Sequence, residues 1–315
     1  LFGISFIASL VFAALESIVA LFQIVLPYIL PFYLLLFFLE DAGYLARVSV
    51  LTDSIMHKLG VHGKAFIPLM LGLGCNVPAC LSCRIMETER ERFITAFLTT
   101  LVPCSAVTVV IMGLVGKFVG IGFAFGLYLF AFLLIFILGR LANKILPGEG
   151  TELIMAMPDY RRPGLRTIFI QTWFRLKDFI YIAGPLVIIS GIIIKGIHLA
   201  GWLPAMSEFF SPITEKWLGL PAITGILLIF GILRKELILV MLATLYGTTN
   251  FAQVLSPVQM ITLALVSMLY IPCIATIAAL WKEFGWKKAL SISVFEILLA
   301  IIIAGLASKI LKVLL

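Results

Sequence analysis

Three cysteines stand beside prolines in otherwise apolar stretches: Gly72-Leu73-Gly74-Cys75-Asn76-Val77-Pro78-Ala79, Leu101-Val102-Pro103-Cys104-Ser105-Ala106 and Tyr270-Ile271-Pro272-Cys273-Ile274-Ala275. Proline lacks a backbone N–H and disfavours helix in the residue before it. Each motif therefore predicts a break in an apolar helix, the first within Gly74 to Val77, the others at Pro103 and Pro272. Broken backbone at membrane depth is tolerated only where protein or a water-filled cavity surrounds it. The freed carbonyls and the thiols of Cys75, Cys104 and Cys273 are thus candidates for a substrate site, with Asn76, Ser105 and Thr276 beside them. Thiols with carboxylates and hydroxyls suit a borderline divalent metal such as ferrous iron, whereas Mg²⁺ would want oxygen ligands. A transport site must also release its ion, which argues against a closed four-ligand cage. The competing reading is that thiols in tight helix contacts are merely small and apolar.

Cys80 and Cys83 form a C-x-x-C on one helix face. No His lies within ten residues to complete a structural zinc site, so these two are read as packing groups. Ionisable residues within membrane segments are functional candidates by default. Glu296 is the only charged residue between 289 and 308, and Glu236 follows Arg234-Lys235 at a break in the apolar run 221–246. Glu40 and Asp41 end an apolar span and are placed at an entrance. With Gly74, Pro78, Pro103 and Pro272, Glu236 and Glu296 make up the expected gating set. His57, His62 and His198 fall near segment ends and are expected to face the interface. The charged link 84–92 is expected to be a solvated turn.

No H-E-x-x-H or G-x-S-x-G is present, and Gly63-Lys64 and Gly116-Lys117 are followed by Ala65 and Phe118. Neither a catalytic motif nor a phosphate-cradling loop is found, so the chain reads as a transporter with no nucleotide site of its own.

The elements that must position these residues follow from hydropathy. Sixty-two per cent of the 315 residues are hydrophobic and 12% charged, at a mean hydropathy of +1.17, which excludes an ordinary soluble domain. The runs 17–39, 93–116, 118–139 and 237–281 carry no charge and are long enough to span a bilayer. They lack the alternation of an outer-membrane barrel. The fold expected is an all-α polytopic membrane protein with about nine membrane helices, several of them broken. The net charge of +7 concentrates beside membrane segments, pointing to the lipid bilayer rather than nucleic acid. Segment 140–177 holds seven basic residues against three acidic ones, so the positive-inside rule puts it in the cytoplasm.

That segment divides two copies. Leu59-Gly60-Val61 precedes Gly72 by the interval at which Leu218-Gly219-Leu220 precedes Gly231, and both halves later carry an apolar-Pro-Cys-x-Ala word. The register pairs Cys75-Asn76 with Arg234-Lys235, and Cys104 with Cys273. The expected organisation is a first repeat at 1–146 with an extra N-terminal helix, a basic linker at 147–177 and a second repeat at 178–315. Internal repeats with interrupted helices are a sequence pointer to a transporter site at their interface.

The stretch Leu39-Glu40-Asp41-Ala42-Gly43-Tyr44-Leu45-Ala46-Arg47, the words Ile67-Pro68-Leu69 and Gly72-x-Gly74-Cys75-Asn76-Val77-Pro78-Ala79, and the later Tyr270 to Thr276 resemble the FeoB family. This is prokaryotic ferrous iron transport protein B, specifically its membrane region with two Gate, or nucleoside-recognition-like, repeats. The resemblance implies Fe²⁺ as transported substrate, moving into the cytoplasm across the cytoplasmic (inner) membrane. It carries the family's motif cysteines onto Cys75, Cys104 and Cys273, and its acidic-Gly-Tyr motif onto Glu40 and Asp41. The family usually has an N-terminal GTP-binding domain, which here would be absent, on another chain or cut away. Homo-oligomerisation stays open. Two alternatives stand beside this reading: a transporter of nucleosides or another small solute, and a non-transporting membrane scaffold or sensor.

Overall fold

In the computed structural model the described residues are 30–146, 162–199, 211–248 and 250–314, with a few helical positions between 11 and 19. Most of the expected N-terminal helix at 3–22 and the first part of the linker, 147–161, lie outside them. Among the described residues there is no strand, and the fold is helical throughout.

Helix α1 (Leu30–Asp41) opens with Pro31 in its first turn, where the missing N–H is not needed. It turns through Gly43, at φ 79°, into α2 (Tyr44–Lys58). A left-handed residue at Gly60 (φ 80°) and a 3₁₀ turn at Gly63–Ala65 lead into α3 (Phe66–Gly74). Cys75 is extended, and α4 (Asn76–Ser82) resumes with Pro78 in its first turn. Thr88 then caps α5 (Glu89–Leu101), accepting from the Glu91 N–H at 3.2 Å. The chain breaks again at Val102 to Cys104, and α6 (Ser105–Val110) continues as a π-helical turn over Ile111–Gly116. Helix α7 (Ile121–Ile145) runs beyond the uncharged segment to include Arg140.

Helix α8 spans Leu165–Leu199 with Pro185 inside it. The hydrophilic connection is therefore shorter than composition suggests, because 165–177 is the start of a helix. No proline follows Pro163 for 21 residues, and Arg166, Arg175 and Lys177 are good helix formers. A π-helical turn (Pro212–Trp217) is all that is described of the amphipathic stretch near 203–218. The second half then repeats the first: α9 (Thr224–Leu233), a break at Arg234 to Glu236, α10 (Leu237–Tyr246), α11 (Pro257–Leu269), a break at Tyr270 to Cys273, α12 (Ile274–Phe284) and α13 (Trp286–Leu314).

Among the described residues four helical stretches are long and apolar enough to cross a membrane: Glu89–Gly116, Ile121–Ile145, Pro257–Phe284 and Trp286–Val313. Gly63–Gly74 and Thr224–Leu233 are apolar but shorter, as interrupted helices must be. The halves interlock, since α4 packs on α12 while α6 and its π turn pack on α11. One buried apolar core runs through both, from Leu98 and Leu101 of α5 to Leu227 of α9 and Met260 of α11.

The equivalence of the halves is geometric. Gly60 and Gly219 both take positive φ, 80° and 68°. The Gly60 carbonyl accepts from Arg90 Nη1 at 3.1 Å and the Gly219 carbonyl from Gln259 Nε2 at 3.1 Å. Arg90 and Gln259 are partners in the same register that pairs Cys104 with Cys273.

Candidate functional site

A helix that stops inside a membrane leaves carbonyls with no partner, and side chains supply donors to those at Gly74, Thr100 and Tyr270. Ser105 Oγ donates to the Gly74 carbonyl at 2.8 Å, joining the two breaks of the first repeat. Asn76 Nδ2 donates to the Thr100 carbonyl at 3.3 Å. In the second repeat Lys235, the register partner of Asn76, donates from Nζ to the Tyr270 carbonyl at 3.3 Å. The Tyr270 hydroxyl returns to the Leu228 carbonyl of α9. Small residues let these pieces meet. A Cβ on Gly72 would lie 3.2–3.3 Å from Val102 and Thr99, and one on Gly231 2.8 Å from Ile238 and the Tyr270 hydroxyl.

The three motif cysteines come from three breaks: Cys75 joins α3 to α4, and Cys104 and Cys273 are the N-caps of α6 and α12. They are close enough for the charge on one to be felt by the others, with Glu236 in range of Cys75 and both Lys235 and Glu236 in range of Cys104. All three are half-buried, whereas Cys80 and Cys83 are sealed at 0% and 1% exposure. Cys83 Sγ donates to its own helix at the Ala79 carbonyl, 3.4 Å away. The Cys273 thiol and Thr276 hydroxyl are 3.1 Å apart. Among the described residues no three His, Cys, Asp or Glu side chains form a ready ligand group.

The intramembrane charges are placed as follows. Glu236 accepts from Arg234 Nε at 2.8 Å, a local pair at the break. Lys235 is buried, 4% exposed, with its ammonium 5.7 Å from the Tyr270 ring centre. Glu296, 1% exposed, is hydrogen-bonded to Thr100 of α5. Glu40 and Asp41 stay together at the end of α1. Asp41 Oδ2 accepts from the Gly164 N–H at 2.7 Å, and Glu40 senses Arg175 of α8. They are not assembled with the thiols into an ion-holding group.

Two expectations are corrected. His62 does not face the interface: it is fully buried, with Nε2 3.7 Å from Glu91 Oε2, itself fully buried. His62 Nδ1 accepts from the Lys64 N–H at 3.3 Å, so the ring proton sits on Nε2. Burial holds this imidazole below its usual range, against the opposing pull of Glu91. His57 is exposed as expected, and the side chain of His198 lies outside the described set. Nor is 84–92 simply a solvated turn. Arg90 closes the end of α7 by donating to the Leu146 and Asn143 carbonyls, and Arg84 and Arg92 reach across to Glu283 of α12. A mixed-charge run reads as solvent-facing only until long-range partners are known. Thr100 and Tyr270 were not singled out from the sequence. Their only signal is position, each within four residues before a motif Cys.

Apolar helices interrupted at Cys75, Cys104, Arg234 and Cys273 define a helical membrane protein with broken membrane helices. The Gate family model, described as nucleoside recognition, matches twice, at residues 22–118 and 180–287. A model for the C terminus of ferrous iron transport protein B matches residues 124–175. The chain belongs to the FeoB family and corresponds to its membrane region. It is similar to a protein named Fe(2+) transporter FeoB from Methanocaldococcus jannaschii, 32% identical over 97% of this chain and 50% of the relative. A protein of the same name from Staphylococcus aureus is 31% identical over 83% of this chain and 43% of the relative. A Fe(2+) transport protein A/Fe(2+) transporter FeoB fusion protein from Porphyromonas gingivalis is 27% identical over 90% and 42%. The chain thus spans about half the length of the curated relatives it matches. No solved structure matches it.

Proposed function

We propose that this chain conducts Fe²⁺ across the cytoplasmic membrane into the cytoplasm, along a path lined by Cys75, Cys104 and Cys273. The observation that carries the reading is the convergence of three thiols from three separate helix breaks. Cys75, Cys104 and Cys273 share one electrostatic neighbourhood and belong to half-buried residues, while Cys80, in the same neighbourhood, and Cys83 are sealed in helix packing. Thiols are soft enough for ferrous iron, and Asn76, Ser105 and Thr276 supply polar atoms at the same breaks. A set short of a closed cage fits an ion that must leave again.

Glu40 and Asp41 attract the ion at an entrance, and the breaks at Gly74, Pro78, Pro103 and Pro272 give the backbone its freedom to gate. The repeats divide at the basic segment 147–177, which lies on the cytoplasmic side. A GTP-binding domain, on the same or another chain, would act from there.

The test is anaerobic Fe²⁺ uptake into liposomes holding this chain, beside a Cys75→Ser/Cys104→Ser/Cys273→Ser variant. Uptake by the parent alone is expected. Equal uptake by both would move the path away from the thiols. Uptake of labelled nucleoside instead of iron would overturn the substrate.

A further inference from the structure

Glu296 is 1% exposed, sits about a third of the way along α13 and has no cation within ion-pair distance among the described residues. Its hydrogen-bond partner is the Thr100 hydroxyl. That hydroxyl also lies 2.7 Å from the Phe97 carbonyl. A threonine hydroxyl carries one proton, while a backbone carbonyl and a carboxylate can only accept. Two full two-centre bonds therefore need a second proton, and a protonated Glu296 supplies it: its Oε1–H donates to Thr100 Oγ1, and Thr100 donates to Phe97 O. A buried carboxylate without a paired cation would be costly in any case.

This carboxyl is wired to the thiol cluster. The carbonyl of the same Thr100 accepts from Asn76 Nδ2, next to Cys75. The groups that face Glu296 electrostatically are Lys235, at the break between α9 and α10, and Cys80 on α4. Helix α11, packed along α13, presents no titratable side chain. The charges of α12, Lys282 and Glu283, lie at its C-terminal end. Those of α5, Glu89 to Arg92, lie two turns or more before Thr100. On α13 itself the nearest is Lys288, eight residues away.

We propose that Glu296 is an intramembrane proton site linked to cation passage: it holds its proton while the thiol cluster is without a cation and releases it when a divalent cation enters. The proposal rests on the cation-conducting reading above. A dication arriving beside the buried Lys235 ammonium adds charge of the same sign in a poorly solvated place. Ionisation of Glu296 offsets it. The O–H bond breaks, its electron pair stays on the carboxylate, and the proton passes to water.

The measurement is infrared difference spectroscopy of the full chain in liposomes, without metal and then with anaerobic Fe²⁺. The metal-free parent should show the carbonyl stretch of a buried carboxylic acid that Glu296→Gln loses, since the amide can still donate to Thr100 and keep the packing. Thr100→Val, a near-isosteric change, should shift that band by removing its acceptor, which serves if the first variant fails to fold. Fe²⁺ should bleach the band in the parent. Proton release per Fe²⁺, read with a pH dye, should be lower in Glu296→Gln than in the parent, a difference that removes any protons shed by the thiols. An identical acid band in parent and Glu296→Gln overturns the proposal, as does an unchanged band when the same vesicles take up Fe²⁺. If the vesicles take up no Fe²⁺, the conduction reading fails, and loss of the band in Glu296→Gln still establishes the protonated site.

Discussion

In the first repeat the backbone breaks through Cys75 at φ −153°, ψ 131°, and in the second through Arg234 at φ −152°, ψ 117°. The two residues share almost nothing chemically, and the words around them, Gly74-Cys75-Asn76 and Leu233-Arg234-Lys235, would not be aligned by residue type. What the repeats share is a solution to one problem, the carbonyls a stopped helix leaves behind. The first repeat solves it with neutral donors, Asn76 and Ser105, and the second with an ammonium and a phenol, Lys235 and Tyr270. A common backbone thus carries a thiol-and-amide half and a charged half. The asymmetry places Lys235 and Glu236 across from the first repeat's cysteines.

The comparison breaks most visibly at the glycines. A Cβ at Gly231 would sit 2.8 Å from both Ile238 and the Tyr270 hydroxyl, closer than real contacts allow. Gly231→Ala should lose about 2 kcal/mol from overpacking even after its gain in helix propensity. At Gly72 the nearest atoms are 3.2–3.3 Å away, so Gly72→Ala should stay within about 1 kcal/mol of neutral. Thermal unfolding in detergent reads both, and equal losses would mean that the two breaks are packed alike.

The next effect separates amide from ammonium. Asn76→Ala strips the Thr100 carbonyl of a buried donor and should cost about 1 kcal/mol. Lys235→Met likewise strips Tyr270, but it also removes a buried cation, so its loss should be smaller. A larger loss for Lys235→Met in the same assay would show the ammonium to be the stronger bond.

Ser105→Ala, which frees the Gly74 carbonyl, should cost about 0.6 kcal/mol, the usual scale for side-chain hydrogen bonds within membranes. A loss matching that of Asn76→Ala would make the link between the two breaks as strong as the bond within them.

The smallest effect concerns the loop before each broken helix. In register His62 faces Pro221, so only the first repeat can titrate there. With its folded-state pKa below the usual 6.5, His62 binds its proton more weakly folded than unfolded. Its contribution is therefore full above the unfolded pKa and is lost as pH falls towards the folded one. Hydrogen exchange around 59–64 should quicken, relative to 218–223, as pH falls below the usual histidine range of about 6.5. His62→Gln should abolish that difference.

Much of the backbone was legible in advance because its causes are local. Proline after an apolar run disfavours helix before it, so the breaks at Pro103 and Pro272 follow from single residues, although α8 carries Pro185 within it. The run at Arg234 to Glu236 was legible as a charge interruption. The words Leu59-Gly60-Val61 and Leu218-Gly219-Leu220 were legible as matching turns, and both glycines take positive φ. Less legible was where polar side chains go. Glu283 looks like an interfacial charge, yet it is nearly buried between Arg84 and Arg92, almost 200 residues away in the chain. The helical start of α8 was hidden because charge signals exposure and not conformation.

The sequence by itself determined the membrane class, the positions of the breaks and the pairing of the repeats, since hydropathy, proline sterics and spacing act within a turn or two. Only the tertiary structure decided that the thiols of three separate breaks converge, that Glu296 meets Thr100 and that His62 is buried against Glu91. Those outcomes depend on segments distant in the chain packing together, across the halves for Glu296 and Cys273 and within the first half for His62 and Glu91. Once water is excluded, a polar group must bond to whatever that packing brings within reach.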